Sequence, residues 1–192
     1  MSRIVVQDDV REKLMIDMGG LLPVTGRLGA DAQDHLGNLF ELKSTSKSSV
    51  STARDFHQDT INKYRERYWL VATFDAGRMD FENLYFLAPQ HLEEWYRSQE
   101  TILSRYSRIC DRMFEVIASH DFDHHEVSML KGIATRGSKR NDPNIPMTYI
   151  RKNGKKLNLD ENVPAQIASL VSQYTIVKTL HNEDDMFVFN IF

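Results

Sequence analysis

Helical and strand periodicities alternate along this chain. Val10, Leu14 and Met18 recur at helical spacing within residues 8–18, and Gly19-Gly20 closes the run, which predicts a short amphipathic helix. Residues 23–29 read as a loop. Two strand candidates follow, around 27–33 and 38–44, with a turn at His35-Leu36-Gly37 between them. The Ser/Thr-rich residues 44–52 read as an exposed loop, and 59–67 as a helix. Residues 68–74 (Tyr-Trp-Leu-Val-Ala-Thr-Phe) are rich in aromatic and β-branched residues, the composition of a buried strand. A turn at 75–78 leads to a strand at 83–88. Pro89 then opens a long helix to about residue 118, with Leu92, Trp95, Tyr96, Ile102 and Leu103 as its buried side. Further on, 136–144 reads as a loop, 145–151 as a strand, Asn153-Gly154 as a turn, 164–174 as a helix and 186–191 as a strand. Strands and helices mix without strict alternation, so the expected fold is mixed α/β, a central mixed sheet flanked by helices.

Composition narrows the function classes. The 192 residues suffice for one domain with a proper core, and no apolar run approaches the roughly 20 residues that span a bilayer. The start of the chain is too briefly apolar for a signal peptide, and the single Cys110 excludes an intramolecular disulfide. A reducing, cytoplasmic location is expected. A net charge of −3 argues against a protein that merely coats nucleic acid. It leaves open an enzyme that keeps carboxylates beside a phosphate and its basic residues local. No glycine-rich nucleotide loop is present, so no nucleotide cofactor is expected.

The chemistry concentrates between residues 29 and 44. Side chains two apart on a strand share a face, so Glu41 and Lys43 project together while Phe40 and Leu42 face the other way. A hairpin turn near Gly37 returns Asp31 beside Glu41. Two carboxylates and one ammonium then converge at a sheet edge, a set suited to phosphodiester hydrolysis. Mg²⁺ takes oxygen ligands, here Asp31, Glu41 and the backbone carbonyl of Leu42, and acidifies a bound water. Lys43 orients that water, lowers its pKa or stabilises the transition state. By itself Glu-x-Lys is common on exposed strands, where it is a solvated pair.

The surrounding residues add a family likeness. The pattern Asp31-Ala32-x-Asp34-x-x-Gly37-x-x-Phe40-Glu41-Leu42-Lys43-Ser44 resembles the type II restriction endonucleases of the PD-(D/E)XK class, and within it the PvuII family. Collinear matches continue through Ser51-Thr52, Ile61-x-Lys63-Tyr64-Arg65, Trp69, Leu87-x-Pro89-x-x-Leu92-Glu93, Asn141-x-Pro143-x-Ile145-Pro146-x-x-Tyr149 and Gly154-x-Lys156, over about residues 17–157. The resemblance implies that Asp31 and Glu41 bind the metal, that Lys43 is the catalytic lysine, and that Tyr64 lies near the scissile phosphate. A buried helix-face aromatic is the alternative for Tyr64. Ser51, Thr52, Arg54 and Asp55 fall where the family reads base edges in the major groove, as do Asn141 and Asp142; Asp17 falls near a minor-groove contact.

The departures from the family pattern bear on specificity. Arg54 and Asp55 stand where the family has histidines, and Asp142 where it has an asparagine. Arg suits guanine and Asp accepts from cytosine, so a palindromic site with G·C pairs is expected; the alternative for Arg54 is an ordinary salt bridge. The N-terminal arm is shorter than the one that builds the family's dimer, so dimer contacts are expected to differ. Residues 1–157 would form the catalytic domain, and 158–192, without counterpart, an extension packed on it.

Elsewhere, Lys139 and Arg140, like the basic residues at 151–156, are solvated faces or phosphate contacts. The run His120 to His125 reads as a polar loop rather than a zinc site, since it lacks Cys/His spacing. The resulting expectation is a Mg²⁺-dependent type II restriction endonuclease. It would act as a homodimer on double-stranded DNA and leave 5′-phosphates. A repair, junction-resolving or nicking nuclease of the same class and a non-catalytic DNA-binding protein are the alternatives.

Overall fold

The strand Tyr68–Phe74 is buried at all seven positions, which requires cover on both faces of the sheet it belongs to. The computed structural model describes residues 7–24, 29–75, 80–137 and 143–176. In chain order the elements are α1 (Gln7–Gly19), β1 (Leu22–Pro23), β2 (Ala32–Gln33), β3 (Leu39–Thr45), β4 (Ser49–Val50), α2 (Gln58–Arg65), β5 (Tyr68–Phe74), β6 (Phe81–Leu87), α3 (Pro89–Ser119), α4 (His124–Gly137), β7 (Ile145–Pro146), α5 (Met147–Asn153), β8 (Lys155–Lys156) and α6 (Val163–Gln173). Six strands form one sheet in the order β1-β2-β3-β5-β6-β8, and β4 pairs with β7 in a second. β3 and β5 are parallel and the other pairs antiparallel. This is the expected mixed α/β architecture.

Two cores sandwich the main sheet. On one face Phe40, Leu42, Leu70, Ala72 and Phe86 pack against Met15 of α1 and Val163 and Ile167 of α6. On the other, Trp69, Val71, Tyr85 and Leu87 meet Ile61 and Tyr64 of α2, Leu92, Trp95 and Tyr96 of α3, and Ile150 of α5. The two-residue period of β5 and β6 thus feeds both layers, while β3 gives Phe40 and Leu42 to the first alone.

Local signals explain the boundaries. α1 ends in a Schellman arrangement: Leu21 N–H donates to the Ile16 carbonyl at 3.0 Å and Gly20 N–H to Asp17 at 3.3 Å. Gly20, at φ +61°, supplies the left-handed residue this turn needs. Pro89 opens α3 at its first turn, as expected.

The structure corrects several expectations. Residues 145–151 are not one strand; Ile145–Pro146 is a short strand and Met147–Asn153 a helix. Met147 and Ile150 are buried three residues apart, so tertiary burial outweighs the β-branched composition. The segment 44–52 is not simply an exposed loop, since β3 runs on to Thr45 and Ser49–Val50 pairs with β7. His124 and His125 open α4 rather than extend a loop. The buried stripe of α1 is Arg11 and Met15, with Leu14 and Met18 only partly buried. The turn at 76–78 and the strand at 186–191 lie outside the described residues.

Candidate active site

The site begins with a ladder that stops early. β2 pairs with β3 only through Ala32–Phe40 and Gln33–Leu39. Between them the chain turns at Gly37 (φ +80°), where the Asp34 carboxylate accepts from the N–H groups of Leu36 and Asn38, both at 2.9 Å. Asp34, prominent in the motif, is therefore a turn-forming residue. One step further, Asp31 N–H donates to the Phe40 carbonyl at 3.0 Å. Its carboxylate then takes the next donor that β2 does not reach, Leu42 N–H at 2.6 Å. The side chain completes the ladder where the backbone leaves it. So the convergence is not at the sheet's edge strand, as expected, but on the open flank of an inner strand.

Glu41 and Lys43 share one side of β3, opposite Trp69 and Val71 on β5. Lys43 Nζ lies 2.8 Å from Glu41 Oε1, and Arg67 holds Glu41 Oε2 at 2.7 Å and the Gly29 carbonyl at 3.1 Å. Glu41 and Arg67 are both buried, so each needs the other's charge. Arg67 escaped the sequence reading because a lone cation before a buried strand has no periodic signature.

The group opens into a cleft of about 630 Å³, lined among others by Arg11 and Glu12 of α1, Asp31, Lys43, Ser51 and Asn144. Arg11 is buried, stacks over Phe74 at 4.7 Å and has an Nε without a hydrogen-bond partner. Neither α1 residue was anticipated, because the helix was read in the register of its partly buried stripe.

Burial, then the nearby Glu41 carboxylate, pushes the Asp31 carboxyl up to about 6, against the opposing pull of Lys43 and the Leu42 N–H; Glu12 adds to the rise. For Lys43 burial works against the ammonium, but Glu41 and Asp31 outweigh it and hold its pKa above the ordinary lysine range. Tyr64 is a buried aromatic, edge-on to Trp69 at 4.7 Å between centroids. Burial keeps its phenol protonated well above the usual range, with Lys43 opposing and Glu41 reinforcing. Tyr64 is thus a core residue, and its phenol feels the charged cluster.

The remaining candidates separate. Ser51 and Thr52 line the cleft, tied to Asn144 (3.1 Å) and to the Pro143 carbonyl (2.6 Å). Arg54 and Asp55 are exposed on the bend that follows. Asp17 sits on the exposed side of α1, outside the cleft lining. Lys139, Arg140, Asn141 and Asp142 lie outside the described residues. No group of three or more His, Cys, Asp or Glu side chains among the described residues could hold a metal. No helix among them is long and apolar enough to cross a membrane.

A mixed sheet whose inner strand carries Glu41-x-Lys43, with an aspartate delivered by the preceding hairpin, defines a nuclease of the restriction-endonuclease fold. A family model for restriction endonuclease PvuII matches residues 4–112, and the chain belongs to that family. It is accordingly a type II site-specific deoxyribonuclease whose substrate is double-stranded DNA.

Proposed function

We propose that the chain hydrolyses duplex DNA with Mg²⁺ at a palindromic site containing G·C pairs, as a homodimer, leaving 5′-phosphate and 3′-hydroxyl ends. The observation that carries this reading is the convergence on β3 of Asp31 and Lys43, which line one cleft, with Glu41 buried behind them and paired to Lys43. The donor set suits magnesium, which keeps several waters and needs few protein oxygens. Asp31 and Glu41 would hold it with the Leu42 carbonyl, which points to the same flank as the Leu42 N–H that Asp31 accepts. When bound, magnesium acidifies water and neutralises charge on the phosphate.

The chain's own residues do the rest. Lys43, held cationic by its carboxylate neighbours, acts on the charge that builds at the phosphorus rather than as a base. Tyr64, held protonated, can donate a hydrogen bond but not remove a proton. Arg67 holds Glu41 in place through its 2.7 Å ion pair. Water attacks phosphorus, the 3′-oxygen leaves, and the product keeps its 5′-phosphate. Ser51 and Thr52 at the cleft, Arg54 and Asp55 beyond it, and Asn141 and Asp142 would read base edges. Asp17 would reach the minor groove, and Lys139 and Arg140 the phosphates. Each chain carries one such centre and a duplex has two strands, so a two-fold pair of chains matches a palindrome.

The test is incubation of unmethylated plasmid with the protein in Mg²⁺ or EDTA, beside Lys43→Ala. Discrete bands that need the metal, and that fall by about 10²–10³ in rate with the variant, are the expected result. Cleavage independent of Lys43 would remove these residues from the centre, and smeared or branch-dependent cutting would favour a repair or resolving nuclease.

A further inference from the structure

The long helix outruns the body it packs on. α3 has 31 residues, about 46 Å at 1.5 Å per residue, yet the last of its residues in the core beneath it is Leu103. Beyond that point α4 packs against it, and a four-residue connection, 120–123, makes the pair a helical hairpin. Six of the eight large apolar side chains exposed among the described residues lie on this hairpin: Tyr106, Ile109, Phe114, Val116, Met129 and Ile133. An apolar groove of about 410 Å³ runs between the helices, lined by Ile109, Met113 and Val116 with Phe122 and Leu130.

We propose that this face is the interface between two copies of the chain, each hairpin supplying half of a four-helix bundle. The proposal deepens the homodimer reading above and rests on it for the need of two centres per duplex.

Three features point to a second copy as the occupant. Ile102, Tyr106, Ile109, Met113 and Val116 follow one another at spacings of four, three, four and three, the seam by which helices pack along their length. That seam is nearly symmetric about Ile109, so a two-fold axis there sets Ile109 on its own copy and Ile102 opposite Val116, as an isologous contact requires. The area is of the order a pair of chains needs. At about 200 Å² per large side chain, the exposed fractions of Tyr106, Ile109, Val116, Met129 and Ile133 present roughly 500 Å² of apolar surface. Arg105, Arg108 and Arg112 flank it and bring the patch toward the ~800 Å² per partner of a stable complex. Aromatic residues, methionine and arginine are also the types enriched at interface centres.

Sedimentation of the full chain, without DNA or metal, tests this separately from catalysis. The wild type is expected near 45 kDa, twice the 22.3 kDa chain, and Ile109→Glu/Val116→Glu as a folded monomer. Ile109→Ala/Val116→Ala, which adds no charge, should weaken the dimer at least tenfold if the glutamates prevent folding. A monomeric wild type overturns the proposal and leaves another protein or the chain's last residues to cover the face. A dimer that persists unweakened in both variants overturns it too. If the dimer holds but no DNA is cut, the nuclease reading fails and the interface stands.

Discussion

Under the proposed reading a single residue, Asp31, ties stability, metal and pH together. Its carboxyl is raised to about 6 in the folded chain, against about 3.9 unfolded. The metal-free folded state therefore binds this proton more tightly. The group's contribution to stability is present below about pH 4 and lost as pH rises through about 6. A divalent ion needs the ionised carboxylate, so its stabilising effect should grow over the same interval. Melting temperatures with and without Mg²⁺ from pH 4.5 to 7.5 should diverge as pH passes 6, and Asp31→Asn should remove the divergence. An Mg²⁺ increment equal at pH 5 and pH 7 would reject this linkage.

At the scale of elements, two close approaches hold the site's frame. Arg67, just ahead of β5, binds Glu41 on β3 and the Gly29 carbonyl before β2, and so ties three segments to one buried guanidinium. Arg67→Met would leave Glu41 buried with Lys43 alone, at a cost on the order of 3 kcal/mol. Arg67→Lys should recover only part, because an ammonium lacks the guanidinium fork. Urea unfolding midpoints read both, and a neutral Arg67→Met would show that Lys43 alone suffices. Gly154, between α5 and β8, is the second. A Cβ there would meet the Ile150 carbonyl at 2.8 Å, the Leu87 side chain at 3.1 Å and the Phe86 carbonyl at 3.3 Å. Two of the three are backbone and cannot swing aside. Gly154→Ala should therefore destabilise by about 1–3 kcal/mol in the same titration, and an unchanged midpoint would mean that α5 shifts freely on β6.

For the whole molecule, the arrangement of one centre per chain has a kinetic signature. In the proposed dimer each chain would cut one strand, so a mixed dimer of wild type and Lys43→Ala should nick and stop. Pre-mixing wild type with a large excess of the variant is expected to shift plasmid product from linear to nicked circles. Linear product in proportion to wild-type chain alone would mean that one centre cuts both strands. The hairpin of α3 and α4 reaches past the matched family span, which ends at residue 112, so the pairing surface proposed for it is in part a feature of this chain beyond the shared pattern.

The sequence by itself determined the layers and the triad. The aromatic and β-branched run at 68–74, the alternation of Phe40 and Leu42 with Glu41 and Lys43, and Gly37 in the turn are local patterns. The periods of strand and turn fix which side chains share a face, and the structure keeps them. Only the tertiary structure decided what lies between segments distant in sequence. The early end of β2 makes the Asp31 carboxylate a ladder partner of Leu42. The fold brings Arg67 to Glu41 and Arg11 to the cleft from segments whose own periodicity marks no site. It also turns residues 147–153 into a helix because Met147 and Ile150 find a core there. Strand and helix periods are encoded by neighbours a few residues apart. A buried charge, or a helix face left over when the core is full, depends on what packs against it from elsewhere in the chain, and no local pattern carries that.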